Sequence, residues 1–211
     1  MKKKWIIGIA LCSVLLIGCA MIGPIMSDVE HPKYEVISSL HNIEIRQYAP
    51  MFIAEVEVKG ERIDAIGDGF RLLADYIFGN NKVEHDIAMT HPVQQQANEN
   101  IAMTAPVQQQ LSGQAWKVSF VMPSEYTLVT LPKPNNDRVN LIEIPKKKFI
   151  VIQFSGMNST DNVVRHEKKL LQHIKENQIQ ITSSPKYAFY NPPWTLPMMR
   201  RNEVMIEIVD K

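Results

Sequence analysis

Six histidines, two cysteines and a scatter of serines and carboxylates are the residues through which this 211-residue chain could do chemistry. Their spacing denies most of it. There is no Gly-x-Ser-x-Gly, no His-Glu-x-x-His and no phosphate-cradling glycine loop. Ser155 stands before Gly156 with no histidine at a hydrolase spacing. His166 and His173 share one helical face without an acid or cysteine at ligand spacing, which is the pattern of surface residues. His31, His41, His85 and His91 are isolated. The one cysteine with a clear chemistry is Cys19. It follows Leu16-Ile17-Gly18, the lipobox pattern in which the cysteine is acylated and becomes the first residue after cleavage.

The residues before Cys19 agree. Lys2, Lys3 and Lys4 precede an apolar run, Trp5–Ile17, which is shorter than the ~20 residues a spanning helix needs. Residues 1–18 therefore read as a lipoprotein signal peptide, 19–33 as a tether and 34–211 as one folded domain. Ala20, in place of an aspartate, favours the outer membrane, with the domain facing the periplasm. Acyl chains (palmitate among them) make the membrane a partner. Cleavage leaves no second cysteine, so the domain is expected to hold by packing without a disulfide. Loss of the three leader lysines leaves 20 basic against 22 acidic residues, so no nucleic-acid partner is expected. Lys146-Lys147-Lys148 reads as a solvated turn.

Any site must be built by elements with two periods. Tyr34–Ser38, Asn42–Tyr48 and Phe52–Val58 alternate as strands, the first two joined by a turn. The period then changes: Ile63, Ile66, Phe70, Leu73, Ala74 and Ile77 form a helical stripe that Gly79-Asn80 stops. Gly67 and Gly69 within it suggest a close approach by another group. Trp116–Met122 is a strand, Val139–Ile144 and Phe149–Phe154 are expected to pair as a hairpin, and Glu203–Val209 is the last strand. Ser159 or Thr160 can cap a second helix whose inward residues are Val163, Val164, Leu170, Leu171 and Ile174. Strands in antiparallel order with two helices make the class α+β: a curved sheet or distorted antiparallel β-barrel built from two similar halves.

A ten-residue string, Ile-Ala-Met-Thr-x-Pro-Val-Gln-Gln-Gln, occurs at 87–96 and again at 101–110, with His91 in the first copy where the second has Ala105. The second copy leads into the 116–122 strand. The first reads as a further strand or an extension folded back through 97–100, a structural role rather than a cofactor box.

Eight segments in order resemble the SOUL haem-binding family: Ile43–Tyr48, Tyr76–Asn81, Ile101–Val107, Val118–Ser124, Leu131–Asn135, Phe154–Gly156, Tyr190–Pro193 and Arg200–Val204. The resemblance implies two βαββ-like halves with two long helices, similar to the gyrase-inhibitory-protein-like ligand-binding domains. It also implies that haem or a related tetrapyrrole binds non-covalently in an apolar cleft. Carried over, the cleft comprises Phe70, Leu73, Ala74 and Ile77 on the first helix, facing Tyr190, Trp194, Leu196, Met198 and Met199. Arg200 and Arg201 would meet the propionates. Phe70, Leu73 and Ile77 equally suit the core, and Trp194, Met198 and Met199, in a proline-rich loop, are either a binding surface or a lid. Where some members carry a histidine proposed as iron ligand, this chain has Gln47. Met198 and His91 are then the metal candidates. The expectation is a lipid-anchored, non-enzymatic haem carrier, buffer or sensor, with turnover of a bound porphyrin left open. The alternatives are a module for other flat hydrophobic or cationic molecules, or an envelope protein–protein interaction module.

Overall fold

A computed structural model describes residues 29–83 and 98–209. Cys19, His85, His91 and the first copy of the repeat lie outside them. The described strands are β1 (Tyr34–Leu40), β2 (Ile43–Tyr48), β3 (Met51–Lys59), β4 (Asn81–Lys82), β5 (Val107–Ser112), β6 (Ala115–Val121), β7 (Lys133–Pro134), β8 (Asn140–Ile144), β9 (Lys147–Phe154), β10 (Lys186–Phe189) and β11 (Asn202–Glu207). Helix α1 (Arg62–Ile77) follows β3 and helix α2 (Thr160–Glu176) follows β9.

Nine of these strands form one curled antiparallel sheet in the order β1-β2-β9-β11-β10-β5-β6-β3-β8, and β4 pairs separately with β7. The order exposes an internal duplication. One half is β3-α1-β5-β6 and the other is β9-α2-β10-β11, joined at the centre by β5 against β10. Each half receives as its outer strand the one that precedes the other half: β8 lies on β3, and β2 lies on β9. The expected hairpin between 139–144 and 149–154 is therefore absent. The sequence carries a reason. Phe149-Ile150-Val151-Ile152 is buried on both faces, as a central strand is, and β9 finds partners on both sides in β2 and β11. Asn140–Ile144 is half-exposed and suits a sheet edge.

Both helices pack on one face of the sheet. The register places Ala54, Val56, Val118 and Phe120 under α1, and Ile150, Ile152, Val204 and Ile206 under α2. A third cluster, containing Tyr48, Phe149, Val151, Ala188, Tyr190 and Met205, fills the opposite face under the entering chain at Val29 and Tyr34.

Helix α2 buries Val163, Leu170 and Ile174, as its periodicity predicts, although its N-cap Ser159 makes no side-chain cap bond. Helix α1 is turned from the expected stripe. It buries Arg62, Ala65, Gly69, Leu73, Tyr76 and Ile77, while Ile63 and Phe70 are exposed. Gly69 explains the turn: a Cβ there would lie 2.6 Å from the Val118 side chain, so this glycine is the point of closest helix–sheet approach. Gly67 meets only the end of Arg71, at 3.9 Å, and faces open space.

The second copy of the repeat splits in two. Its Val-Gln-Gln-Gln opens β5 at the centre of the sheet. Ahead of it, Ile101 packs beneath α1 and Ala105 packs on the opposite face. The copy thus crosses from one side of the sheet to the other, which is a structural role.

Candidate cleft between helix α1 and the 191–200 loop

On the helix face, the register aligns Phe120, Val107, Phe189, Asn202 and Phe154 in a row across β6, β5, β10, β11 and β9. Adjacent strands lie ~4.8 Å apart, so the row spans about 19 Å. Each helix lays a ring on one end of it. Phe70 of α1 meets Phe120 edge-on, centroids 5.4 Å apart. His166 of α2 stacks flat on Phe154 at 4.0 Å, with its Nδ1 2.8 Å from the Asn162 carbonyl. That bond engages one ring nitrogen as metal-binding histidines engage theirs. His166 read as a surface residue because its partner is brought by the sheet and not by sequence spacing.

The chain between Phe189 and Asn202 forms a loop that leaves the middle of this row. It is braced from within: Arg200 Nε donates to the Thr195 carbonyl at 2.7 Å, and its guanidinium also reaches the Pro193 carbonyl. The Gly156 N–H donates to the Pro197 carbonyl at 2.8 Å, and Asn202 Nδ2 to the Gly156 carbonyl at 3.0 Å, tying the loop to the strand that ends in Phe154. With its polar groups so engaged, the loop leaves its large apolar side chains in solvent. Trp194 is 59% exposed and Met198 77%, with Leu196 and Met199 also exposed. Phe70 and Ile63 are exposed on α1. Ile66, Phe70 and Ala74 lie at four-residue spacing along one ridge of α1 and are at least partly open.

The structure thus divides the residues carried over from the resemblance. Phe70, Ala74, Trp194, Leu196, Met198 and Met199 are at least partly open. Leu73 and Ile77 point into the core beneath α1. Tyr190 lies on the opposite face, in the third cluster. Arg200 braces the loop, and Arg201 is engaged by Glu203. Gln47 pairs with Lys148, at the other end of β9 from Phe154. Six residues of strand separate them, about 20 Å, so a ligand at position 47 would serve a different place from this cleft.

Two charged groups are buried near these surfaces in opposite ways. On the face away from the helices, Glu203 is 0% exposed and fully matched. Arg46 NH1 donates to its Oε1 at 2.9 Å, Arg201 NH2 donates to the same oxygen at 2.7 Å, and the Tyr190 hydroxyl donates to Oε2 at 2.9 Å. Arg201 also lies 4.0 Å over the Tyr190 ring. Burial opposes the Arg46 charge, yet Glu203 and Tyr48 hold its pKa above the ordinary value. Under the helices, Arg62 is 7% exposed and has no carboxylate beside it among the described residues. Its NH2 donates to the Asn158 carbonyl at 2.5 Å and to Thr160 Oγ1 at 3.4 Å. Its Nε and NH1, and the neighbouring Gln109 Oε1, meet no partner among the described residues. Burial lowers the Arg62 pKa, offset only by Tyr187.

A flat apolar plate with carboxylates at one edge fits this side of the molecule: exposed aromatic and thioether walls, and a cation at the start of the α1 ridge. Among the described residues, no cluster of three or more histidine, cysteine, aspartate or glutamate side chains is placed to hold a bare metal ion, and no helix is long and apolar enough to cross a membrane.

The fold is shared with solved structures of low sequence identity. The C-terminal domain of EcmrR superposes with a TM-score of 0.56 at 10% identity, covering 82% of this chain and all of that one. A hydrolase from Listeria innocua gives 0.52 at 10% identity, covering 82% of this chain and 94% of that one. An uncharacterized conserved protein, also from Listeria innocua, gives 0.53 at 12% identity over the same shares of the two chains. At such identities the likeness establishes the α+β fold alone. No curated protein matches the chain in sequence. The SOUL heme-binding protein model matches residues 29–207, nearly all of the described sheet and both helices, and the chain belongs to that family.

Proposed function

We propose that this is a lipid-anchored envelope protein that binds haem or a related tetrapyrrole non-covalently, in the cleft between the open ridge of α1 and the 191–200 loop. Family membership supports the ligand class. The observation that carries the site is the exposed apolar set Phe70, Trp194, Leu196, Met198 and Met199, four of them on one loop whose backbone is held by its own hydrogen bonds. The bound group would supply the iron and the redox chemistry. The protein would supply walls, orientation and charge at the rim. His166, half-buried beside the row's end, is the described histidine best held to meet an iron. Met198 is the thioether alternative. No catalytic constellation accompanies the cleft among the described residues, and we read the protein as a carrier, buffer or sensor, not a catalyst. The anchor is Cys19, and the proposed location is the outer membrane, with the domain facing the periplasm.

A site for flat organic cations is the weaker reading. An unmatched buried carboxylate would favour such a ligand, and the one fully buried carboxylate among the described residues, Glu203, already holds two arginines and a tyrosine.

Hemin titration tests the proposal. A Soret shift that saturates near one equivalent at low micromolar protein is expected. Trp194→Ala with Met198→Ala should weaken binding at least tenfold while leaving the melting temperature unchanged. Weak, non-saturating absorption by the parent chain sinks the reading.

A further inference from the structure

We propose that Arg62, against the amino end of α2, is a carboxylate-binding subsite that holds one propionate of the tetrapyrrole. This rests on the reading of the cleft given above.

Four observations converge. Arg62 as a residue is more than nine-tenths buried, and among the described residues its guanidinium bonds to two neutral groups, the Asn158 carbonyl and the Thr160 hydroxyl. A buried charge without a counter-charge is unfavourable in the empty protein, and a carboxylate would relieve it. Its Nε and NH1 donors are without partners among the described residues, so the group retains capacity for a charge-assisted bond.

The neighbourhood is positive a second time. Asn158, Ser159 and Thr160 are the start of α2, and Ser159 provides no side-chain cap there. A helix amino end carries a partial positive charge and normally attracts an anion. Here it abuts a cation. Asp161 in the first turn of α2 answers the helix end, and the Arg62 guanidinium is left without an acid among the described residues. Tyr187, whose ring lies 5.9 Å from the guanidinium, commits its hydroxyl to Glu167 at 2.7 Å and brings no charge of its own. Gln109 Nε2 donates to the Arg62 carbonyl at 2.7 Å and pins the first turn of α1 in place.

Finally, Arg62 begins the ridge Arg62–Ile66–Phe70–Ala74, spaced by four along α1. At 1.5 Å per residue the ridge is about 18 Å long, turning from buried cation to exposed ring. Its order of charge then apolar surface is that of a porphyrin read from its propionate edge. Arg200 and Arg201, the arginines the sequence offers for this role, are engaged by the loop and by Glu203.

The experiment compares protoporphyrin IX with its dimethyl ester, by fluorescence titration, on the parent chain and on Arg62→Met. The parent should prefer the diacid at least tenfold. The variant should lose that preference and keep its affinity for the ester. An unchanged diacid affinity in folded Arg62→Met overturns the subsite and leaves the tetrapyrrole reading standing. A second measurement does not need the variant to fold: the Arg62 Nε–H resonance of the parent, titrated with sodium propionate, should shift saturably. No shift overturns the subsite. A saturable shift in a chain that binds neither porphyrin sustains the carboxylate subsite and overturns the tetrapyrrole reading instead.

Discussion

Arg46 and Arg62 are both buried, on opposite faces of one sheet, and they are treated differently. Arg46 is 1% exposed and lies within a closed network: Glu203 at 2.9 Å, Glu44 at 2.7 Å, the Tyr48 hydroxyl at 3.2 Å, and the Tyr34 ring 4.4 Å from its guanidinium carbon. Every charge there has a partner from this chain. Arg62 has a carbonyl and a hydroxyl, and no acid among the described residues. The first arrangement fastens β2 to β11 through the intervening β9 and to the chain entering at Tyr34. The second leaves a positive potential that no carboxylate among the described residues meets. A buried charge matched internally is a structural device; one left unmatched is a site.

The sharpest way to break this contrast is to remove the shared acid. Glu203→Gln leaves the buried Arg46 with Glu44 as its one acid and takes from Arg201 the carboxylate it shares. The expected loss of unfolding free energy is about 3–5 kcal/mol, read as a lower urea midpoint. A loss below 1 kcal/mol would mean that the network is decorative and that the two arginines differ less than their surroundings suggest.

Alkaline pH probes the same network with a smaller effect. Burial, reinforced by Glu203, pushes the Tyr48 hydroxyl up to about 12 from an ordinary value near 10, and the Tyr190 hydroxyl is raised for the same reasons. A raised folded pKa means that the native state holds its proton where the unfolded chain has lost it. The associated stability is intact below pH ~10 and is lost as pH rises through about 12, by roughly 2–3 kcal/mol for Tyr48 alone. Urea midpoints taken from pH 8 to pH 12 should be flat and then fall. A decline complete by pH 9 would exclude these tyrosines as its cause.

Helix α1 carries the contrast within one element, and here the reading of the sequence went astray in an instructive way. Its hydrophobic stripe was legible, but centred on Phe70. The structure centres it on Gly69, because a residue without a Cβ allows the helix to approach Val118 and so outcompetes a larger apolar neighbour for the buried position. Helix α2, with no glycine, buried Val163, Leu170 and Ile174 as read. The missed pairing of β8 and β9 has a similar root. Proximity in sequence favours a hairpin, whereas the duplicated halves exchange their outer strands, and that exchange is visible only in the assembled sheet. Of the site, the apolar loop was legible from its prolines and large side chains. The anchoring arginine was not, because what marks Arg62 is the absence of a partner, and partners are set by tertiary contacts. Gly69→Ala should cost about 1–3 kcal/mol by forcing α1 off the sheet. Gly67→Ala, on the open side with only Arg71 near, should raise stability by up to about 1 kcal/mol. Thermal melts of the two variants would separate the closed side of the helix from the open one, and equal losses would erase the distinction.

The smallest expected effect is the most discriminating. Arg62→Met removes two bonds to neutral acceptors, a loss of about 1 kcal/mol each, and it also removes a desolvated charge that no acid among the described residues neutralises. The methionine keeps most of the aliphatic bulk between α1 and α2. These changes oppose one another, so the stability of the ligand-free protein should move by less than about 1 kcal/mol, in either direction. The same substitution at position 46 has no such offset, because it would leave Glu203 with Arg201 alone and Glu44 with neither bond nor counter-charge from the core. Urea midpoints of Arg62→Met and Arg46→Met, measured without ligand, therefore set the two arginines side by side. If both fall by several kcal/mol, Arg62 is a brace like Arg46, and its missing carboxylate has no bearing on binding. If only Arg46→Met falls, the buried cation of α1 is dispensable to the fold, as a group that serves a ligand and not the packing should be.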